Sequence, residues 1–133
     1  FLDTNGRFGK KHGYIRTMAP YRRIRKFPQW CGKGTEPKEM GAIDRMSRNT
    51  PIQGAAGDMT KEAMVRIRQL IYDKRNEIQM VMAVHDQLDF IVRDDLIDKY
   101  SPLITEQMEL AGKTIVTSGL LKSDTTTCKV WEK

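Results

Sequence analysis

The sequence has no apolar run near the ~20 residues that a membrane helix requires, so no membrane span is expected. Cysteine is scarce, and Cys31 and Cys128 stand far apart, with no CxxC pair and no histidine at ligand spacing. Neither a zinc site nor a disulfide framework is suggested, and a reducing interior is the default. There is no repeat, no low-complexity tract, no glycine-rich phosphate loop and no Ser-His-Asp arrangement at workable spacing. The opening Phe1-Leu2-Asp3 lacks an initiator methionine and a secretory pattern, so the chain reads as a piece of something longer.

What is present fits one ordinary domain. The 133 residues are 39% hydrophobic and 30% charged, enough to bury about two thirds of the unfolded surface in one core. The net charge of +6 hides an asymmetry. Residues 1–50 hold 12 Lys and Arg against 4 acids, and residues 51–133 hold 11 against 13. Within the first part, Arg7 to Lys26 carries eight cations and no acid, interleaved with Phe8, His12, Tyr14 and Tyr21. Two readings fit: cations and planar side chains suited to a phosphate backbone, or a solvated loop that is merely basic.

Secondary-structure signals alternate. Tyr14 to Thr17 and Tyr21 to Ile24 suit a hairpin around Ala19-Pro20, and Phe27 to Pro37 reads as a loop. Thr35 or Glu36 can start a helix with Pro37 in its first turn, running to about Arg48. Ile52, Ala56, Met59, Ala63, Ile67 and Leu70 recur at steps of four and three, predicting a second helix with one buried face. Ile78 to Val84 and Leu88 to Val92 read as antiparallel strands around His85-Asp86-Gln87. Asp94-Asp95 and then Ser101-Pro102 are helix-start signals, with a helix to about Ala111 ended by Gly112. Residues 113–121, KTIVTSGLL, read as a strand. Helices mixed with an antiparallel hairpin make an α+β fold.

A carboxylate at a hairpin tip is held rigidly and can meet a ligand without its own backbone intervening. Asp86 therefore qualifies as a metal ligand, although aspartate is also an ordinary turn residue. Upstream lies Asp44 to Met64, DRMSRNTPIQGAAGDMTKEAM.

In that segment Arg45, Asn49, Gln53 and Asp58 stand in the frame R-x-x-x-N-x-P-x-Q-G-x-A-x-D, which resembles the palm signature of A-family DNA polymerases, bacterial polymerase I-like or viral. His85-Asp86 resembles that family's motif C, HGYIRTMAPYRRIRKFP its basic G-Y-V-x-T segment, and the closing VWEK its C-terminal tryptophan stretch. The four landmarks keep their order across nearly the whole chain. The resemblance implies a palm-like α+β fold. Its parts would be a basic segment (1–35), helices with a duplex-contacting face (36–75), the motif C hairpin (78–92) and C-terminal helices with a strand (94–133).

The resemblance also implies roles. Asp86 would be one of two catalytic aspartates holding divalent metal, two Mg2+ ions in the complete enzyme, and His85 would sit beside the primer end. Arg45, Asn49 and Gln53 step by four, so on a continuous helix they share a face. In the family they meet the minor-groove acceptors common to all base pairs. Arg22 and Arg23 would bind phosphate. The implied partners are primer-template DNA, deoxynucleoside triphosphates and the remainder of the polymerase, in a bacterial cell or virus-infected host, with no membrane. Gly54 to Gly57 suit either close approach to the duplex or tight helix packing. Asp58 reads better as a structural hydrogen-bonding residue than as a metal ligand. Met59, Met64, Met80 and Met82 read as core filler, and Trp131 as an anchor.

Departures from the family pattern are specific. Gln87 replaces the glutamate that usually ends motif C, Ala19-Pro20 replaces a glycine region, and neither motif A nor the fingers helix is present. The sequence leaves open a second reading, a non-catalytic nucleic-acid-binding module on the same scaffold.

Overall fold

The computed structural model describes residues 1–119 and 121–130. The chain divides into two compact units, Phe1–Asp58 and Met59–Lys133. Among the described residues no helix is long and apolar enough to cross a membrane.

The first unit opens with helix α1 (Leu2–His12), which has Asp3 in its first turn and Lys10, Lys11 and His12 in its last. The charges of Asp3, Lys10 and Lys11 each complement the helix dipole at their own end. The sequence predicts no helix here, because Gly6 and Gly9 lower the intrinsic propensity. Both glycines are buried. A Cβ at Gly9 would overlap the Ser47 hydroxyl, so the small residue is what lets two backbones approach. Asp44 then links the helices, lying 3.1 Å from Lys10 Nζ and 2.8 Å from Arg48 Nε. Arg48 also reaches Asp3 at 2.7 Å.

Strands β1 (Tyr14–Arg16) and β2 (Ile24–Lys26) pair antiparallel, with Ile15 opposite Arg25. The hairpin surrounds Ala19-Pro20 as expected, but its second strand begins at Ile24 rather than Tyr21. Pro20 has no N–H to give to a ladder. Arg22, at φ 46°, is left-handed and donates its N–H to Met18 O at 3.1 Å. Those residues form the turn. Ile15, Phe27 and Ile43 make the core of this unit, with Phe8, Trp30 and Met46 packed against them.

Helix α2 (Pro37–Leu70) runs 34 residues without interruption through Pro51. Two helices were expected, because proline removes a backbone hydrogen bond and costs ~3 kcal/mol in a helix interior. Burial on both sides of the proline retains the helix: Ile43, Ser47 and Thr50 precede it and Ala55 follows. The expected buried face also needs correction. Ala63 and Ile67 are buried, but Ile52 is 52% and Leu70 44% exposed. Ser47, Thr50 and Asp58 occupy interior positions instead, which a count of apolar residues passes over.

The second unit holds β3 (Ile78–Val84) and β4 (Gln87–Val92), paired antiparallel from Ile78 opposite Val92 to Val84 opposite Gln87. The register shifts between Met80 and Met82, leaving Val81 as a bulge. Ile67, Ile71, Ile78, Tyr100 and Ile104 form the core, and Met80, Leu88, Phe90, Val92 and Met108 pack on it. Met80 is thus core filler as expected, whereas Met82 is 38% exposed. Glu77 ties the far end of the hairpin to the next helix, accepting from Tyr100 Oη at 2.6 Å and Lys99 Nζ at 3.0 Å.

Asp94–Leu96 forms a 3-10 turn that leads into α3 (Ile97–Lys113). The start signal at Ser101-Pro102 lies inside α3, where buried Tyr100 and Ile104 flank the proline and hold the helix through it. The strand expected over residues 113–121 is absent among the described residues. Ile115 and Val116 donate to Gly112 O at 3.1 and 2.9 Å, bonds that close a turn at the helix end. Leu120 and the Trp131 anchor lie outside the described residues.

Candidate functional site

The expected site residues fall into both units. Arg22, Arg23, Arg45, Asn49 and Gln53 belong to the first, and His85, Asp86 and Gln87 to the second.

In the first unit, Arg45, Asn49 and Gln53 are all exposed. Because α2 is continuous, their steps of four place them along one face at intervals of ~6 Å. The structure brings these three together. Beside them lies a groove of about 370 Å³ whose lining includes Thr17, Arg23, Arg25, Thr50, Gln53 and Gly54. Arg25 was not singled out in the sequence. Its Nη1 donates to Thr50 Oγ1 at 3.2 Å, which lays the guanidinium along α2. The signal was available: Arg25 follows Arg23 by two residues, and the period of two of an extended chain puts both cations on one side.

Arg22 and Arg23 differ in their partners. Arg22 is exposed at the hairpin turn. The Arg23 guanidinium instead meets Asp58, with Nε 2.9 Å and Nη2 2.7 Å from Oδ1. Asp58 is 5% exposed, so its burial requires a compensating partner. Elsewhere in this unit, burial pushes the Asp44 carboxyl up, but the hydrogen bonds and charges of Lys10 and Arg48 outweigh it. They hold the group below its ordinary 3.8.

In the second unit, Val84 pairs with Gln87, so His85 and Asp86 alone form the tip of the β3–β4 hairpin. His85 has φ 55°. A positive φ at the first position of a two-residue loop suits the right-handed twist of the flanking strands. His85, Asp86 and Gln87 are all exposed, so the Asp86 carboxylate is presented at the tip. Gln87 is engaged, donating its side-chain amide to Asp89 Oδ1 at 2.6 Å. Asp89 was missed in the sequence, although Asp89 follows Gln87 at the two-residue period of a strand face.

Among the described residues no group of three His, Cys, Asp or Glu side chains is assembled for a metal ion. The donor set here is one presented carboxylate, Asp86; Asp89 accepts from Gln87 through Oδ1, and its Oδ2 is buried without a hydrogen-bond partner among the described residues. One exposed carboxylate fits a divalent metal only as a single ligand.

Residues 1–133 match the family model for DNA polymerase family A, and the chain belongs to that family. It is 27% identical over 116 residues to DNA polymerase I of Chloroflexus aurantiacus, covering 87% of this chain and 12% of that protein. Against DNA polymerase I of Bacillus subtilis it is 28% identical over 111 residues, covering 84% and 12%. The fold is similar to the POL domain of Pol1 from M. smegmatis in complex with a DNA primer-template and dNTP. That similarity has a TM-score of 0.71 and 30% identity, over 83% of this chain and 19% of that one. The α+β arrangement is therefore palm-like, and the chain spans only a small part, 12%, of the length of these two relatives.

Proposed function

We propose that this chain is the C-terminal palm portion of a DNA-directed DNA polymerase. It would act in template-directed nucleotidyl transfer to a primer 3′-hydroxyl, with motif A and the fingers supplied by the remainder of the enzyme in the same or another chain. The observation that carries the reading is the hairpin tip, where a two-residue turn presents Asp86 beside His85 at the end of a packed strand pair.

Asp86 holds one carboxylate toward the reacting groups, and His85 lies beside the primer end. Asp86, together with a carboxylate from the remainder of the enzyme, would hold Mg2+ ions, which would supply stabilisation of the charge on the attacking and leaving oxygens. Arg45, Asn49 and Gln53 donate to minor-groove N3 and O2 acceptors, present in every base pair, and so test shape without choosing sequence. Arg22 contributes charge toward phosphate. Gln87, in place of a glutamate, lowers the negative charge at the tip and fixes Asp89. Primer-template DNA and deoxynucleoside triphosphates are the partners this arrangement suits.

The basic segment, with Gln87 in place of a glutamate at the tip, favours one second reading, a nucleic-acid-binding module without catalysis. Primer extension separates the two. Extension should appear when the chain is combined with the matching upstream polymerase portion and should vanish with Asp86→Ala. A binding module would bind primer-template equally well with or without that substitution and support no synthesis.

A further inference from the structure

Arg23 and Asp58 sit where three features meet: two links that join the β1–β2 ribbon to α2 and one that locks the ribbon itself. The first is their ion pair, in which two guanidinium nitrogens share Asp58 Oδ1. The second is a local backbone lock: Arg23 N donates to Thr17 Oγ1 at 2.9 Å, and Thr17 N donates to Arg23 O at 2.9 Å. The third is steric. Thr17 is buried and lies so close to Gly54 that a Cβ there would overlap its methyl group. Arg23 Nη2 also reaches Gly54 O at 3.5 Å. Gly54 and Asp58 are one helical turn apart, so both links to α2 fall on one side of it, next to Gln53.

Charge argues against Arg23 as a phosphate ligand. Asp58 neutralises its guanidinium, and Asp58 Oδ2 is buried with no other partner among the described residues. Removing Arg23 would strand that carboxylate. Arg22 and Arg25 carry no carboxylate partner among the ion pairs of the described residues.

We infer that Arg23 and Asp58 are positioning residues, a clamp that seats the basic ribbon on α2 so that Arg22, Arg25 and Gln53 can address one duplex. Neither member of the clamp touches DNA. The duplex half of this inference rests on the proposed polymerase reading.

Its test turns on a sign. If Asp58 acted through charge alone, Asp58→Asn would tighten binding to a polyanion; a clamp predicts weaker binding. The 133-residue chain and its Asp58→Asn, Arg23→Ala and doubly substituted forms would be titrated with a fluorescein-labelled primer-template. Amide hydrogen exchange would be followed at Thr17 and Arg23. Asp58→Asn should speed exchange at both amides by about tenfold or more while leaving the β3–β4 amides protected. It should weaken duplex binding by about tenfold, with the double variant no worse than either single one. Parent-like exchange in Asp58→Asn, or tighter duplex binding, would overturn the clamp. Should Asp58→Asn unfold, Arg23→Lys keeps the charge but loses the fork of donors. Faster exchange at the two amides is then expected, and unchanged exchange contradicts the inference. If the parent binds no primer-template, the polymerase reading fails, and exchange alone still decides the clamp.

Discussion

Gln87 Nε2 donates to Asp89 Oδ1 across 2.6 Å, tying the residue after the hairpin tip to the next carboxylate along β4. The bond holds the Gln87 side chain at the tip and uses a neutral amide where a glutamate would add a second negative charge beside Asp86. In the assembled polymerase, Gln87→Glu should lower the Mg2+ concentration for half-maximal synthesis by about three- to tenfold, since ligand charge tunes divalent affinity. A magnesium titration of primer extension checks this. An unchanged midpoint would place residue 87 outside the field of the metals.

The buried stripe of α2 gives a stability prediction with an internal control. Ile67 is fully buried, whereas Ile52, predicted from periodicity to share its face, is 52% exposed. Ile67→Ala should cost ~2–5 kcal/mol through lost burial and a residual cavity. Ile52→Ala should stay within ~0.5 kcal/mol, as surface substitutions usually do. Urea denaturation of the two variants measures both, and similar losses would restore the stripe that the sequence suggested.

Much of the second unit was legible because its signals are local. The β3–β4 hairpin followed from two apolar runs around a polar corner, and the structure moved only Gln87, from turn to strand. Errors arose where tertiary packing overrode a local rule. Pro51 and Pro102 suggested boundaries, yet each sits between buried residues that hold one helix through it. Gly6 and Gly9 disguised α1 because their value lies in closeness to α2, which propensity does not register. The β-branched run after Gly112 resembled a strand but makes turn bonds back to α3. Of the candidate site, the even spacing of Arg45, Asn49 and Gln53 was readable. Arg23's commitment to Asp58, 35 residues away, was not.

Acid should weaken the first unit through Asp44. Its folded carboxyl titrates below the ordinary 3.8, with burial raising it and Lys10 and Arg48 together lowering it further. A depressed acid contributes stability that is fully present above the unfolded value and is lost as pH falls through the folded one. Stability of the parent should therefore decline below about pH 4 more steeply than that of Asp44→Asn. Urea midpoints across that range provide the comparison, and parallel pH profiles would remove Asp44 from the account.

Salt dependence distinguishes the two neighbouring arginines. Arg22 is exposed with no carboxylate partner among the described ion pairs, so Arg22→Ala should reduce the slope of log affinity against log salt by about one for primer-template. Fluorescence anisotropy across a salt series measures it. A slope equal to that of the parent would mean that Arg22 makes no phosphate contact.

On the proposed reading, Asp86 acts in the chemical step and not in holding DNA. Single-turnover nucleotide incorporation by rapid quench tests it most directly, using the assembled polymerase with saturating primer-template, with and without Asp86→Ala. Incorporation should fall by about a hundred- to a thousandfold, comparable to removing other transition-state electrostatic groups, while the primer-template dissociation constant changes less than about threefold. Parent-like incorporation, or a loss explained entirely by weaker DNA binding, would contradict it.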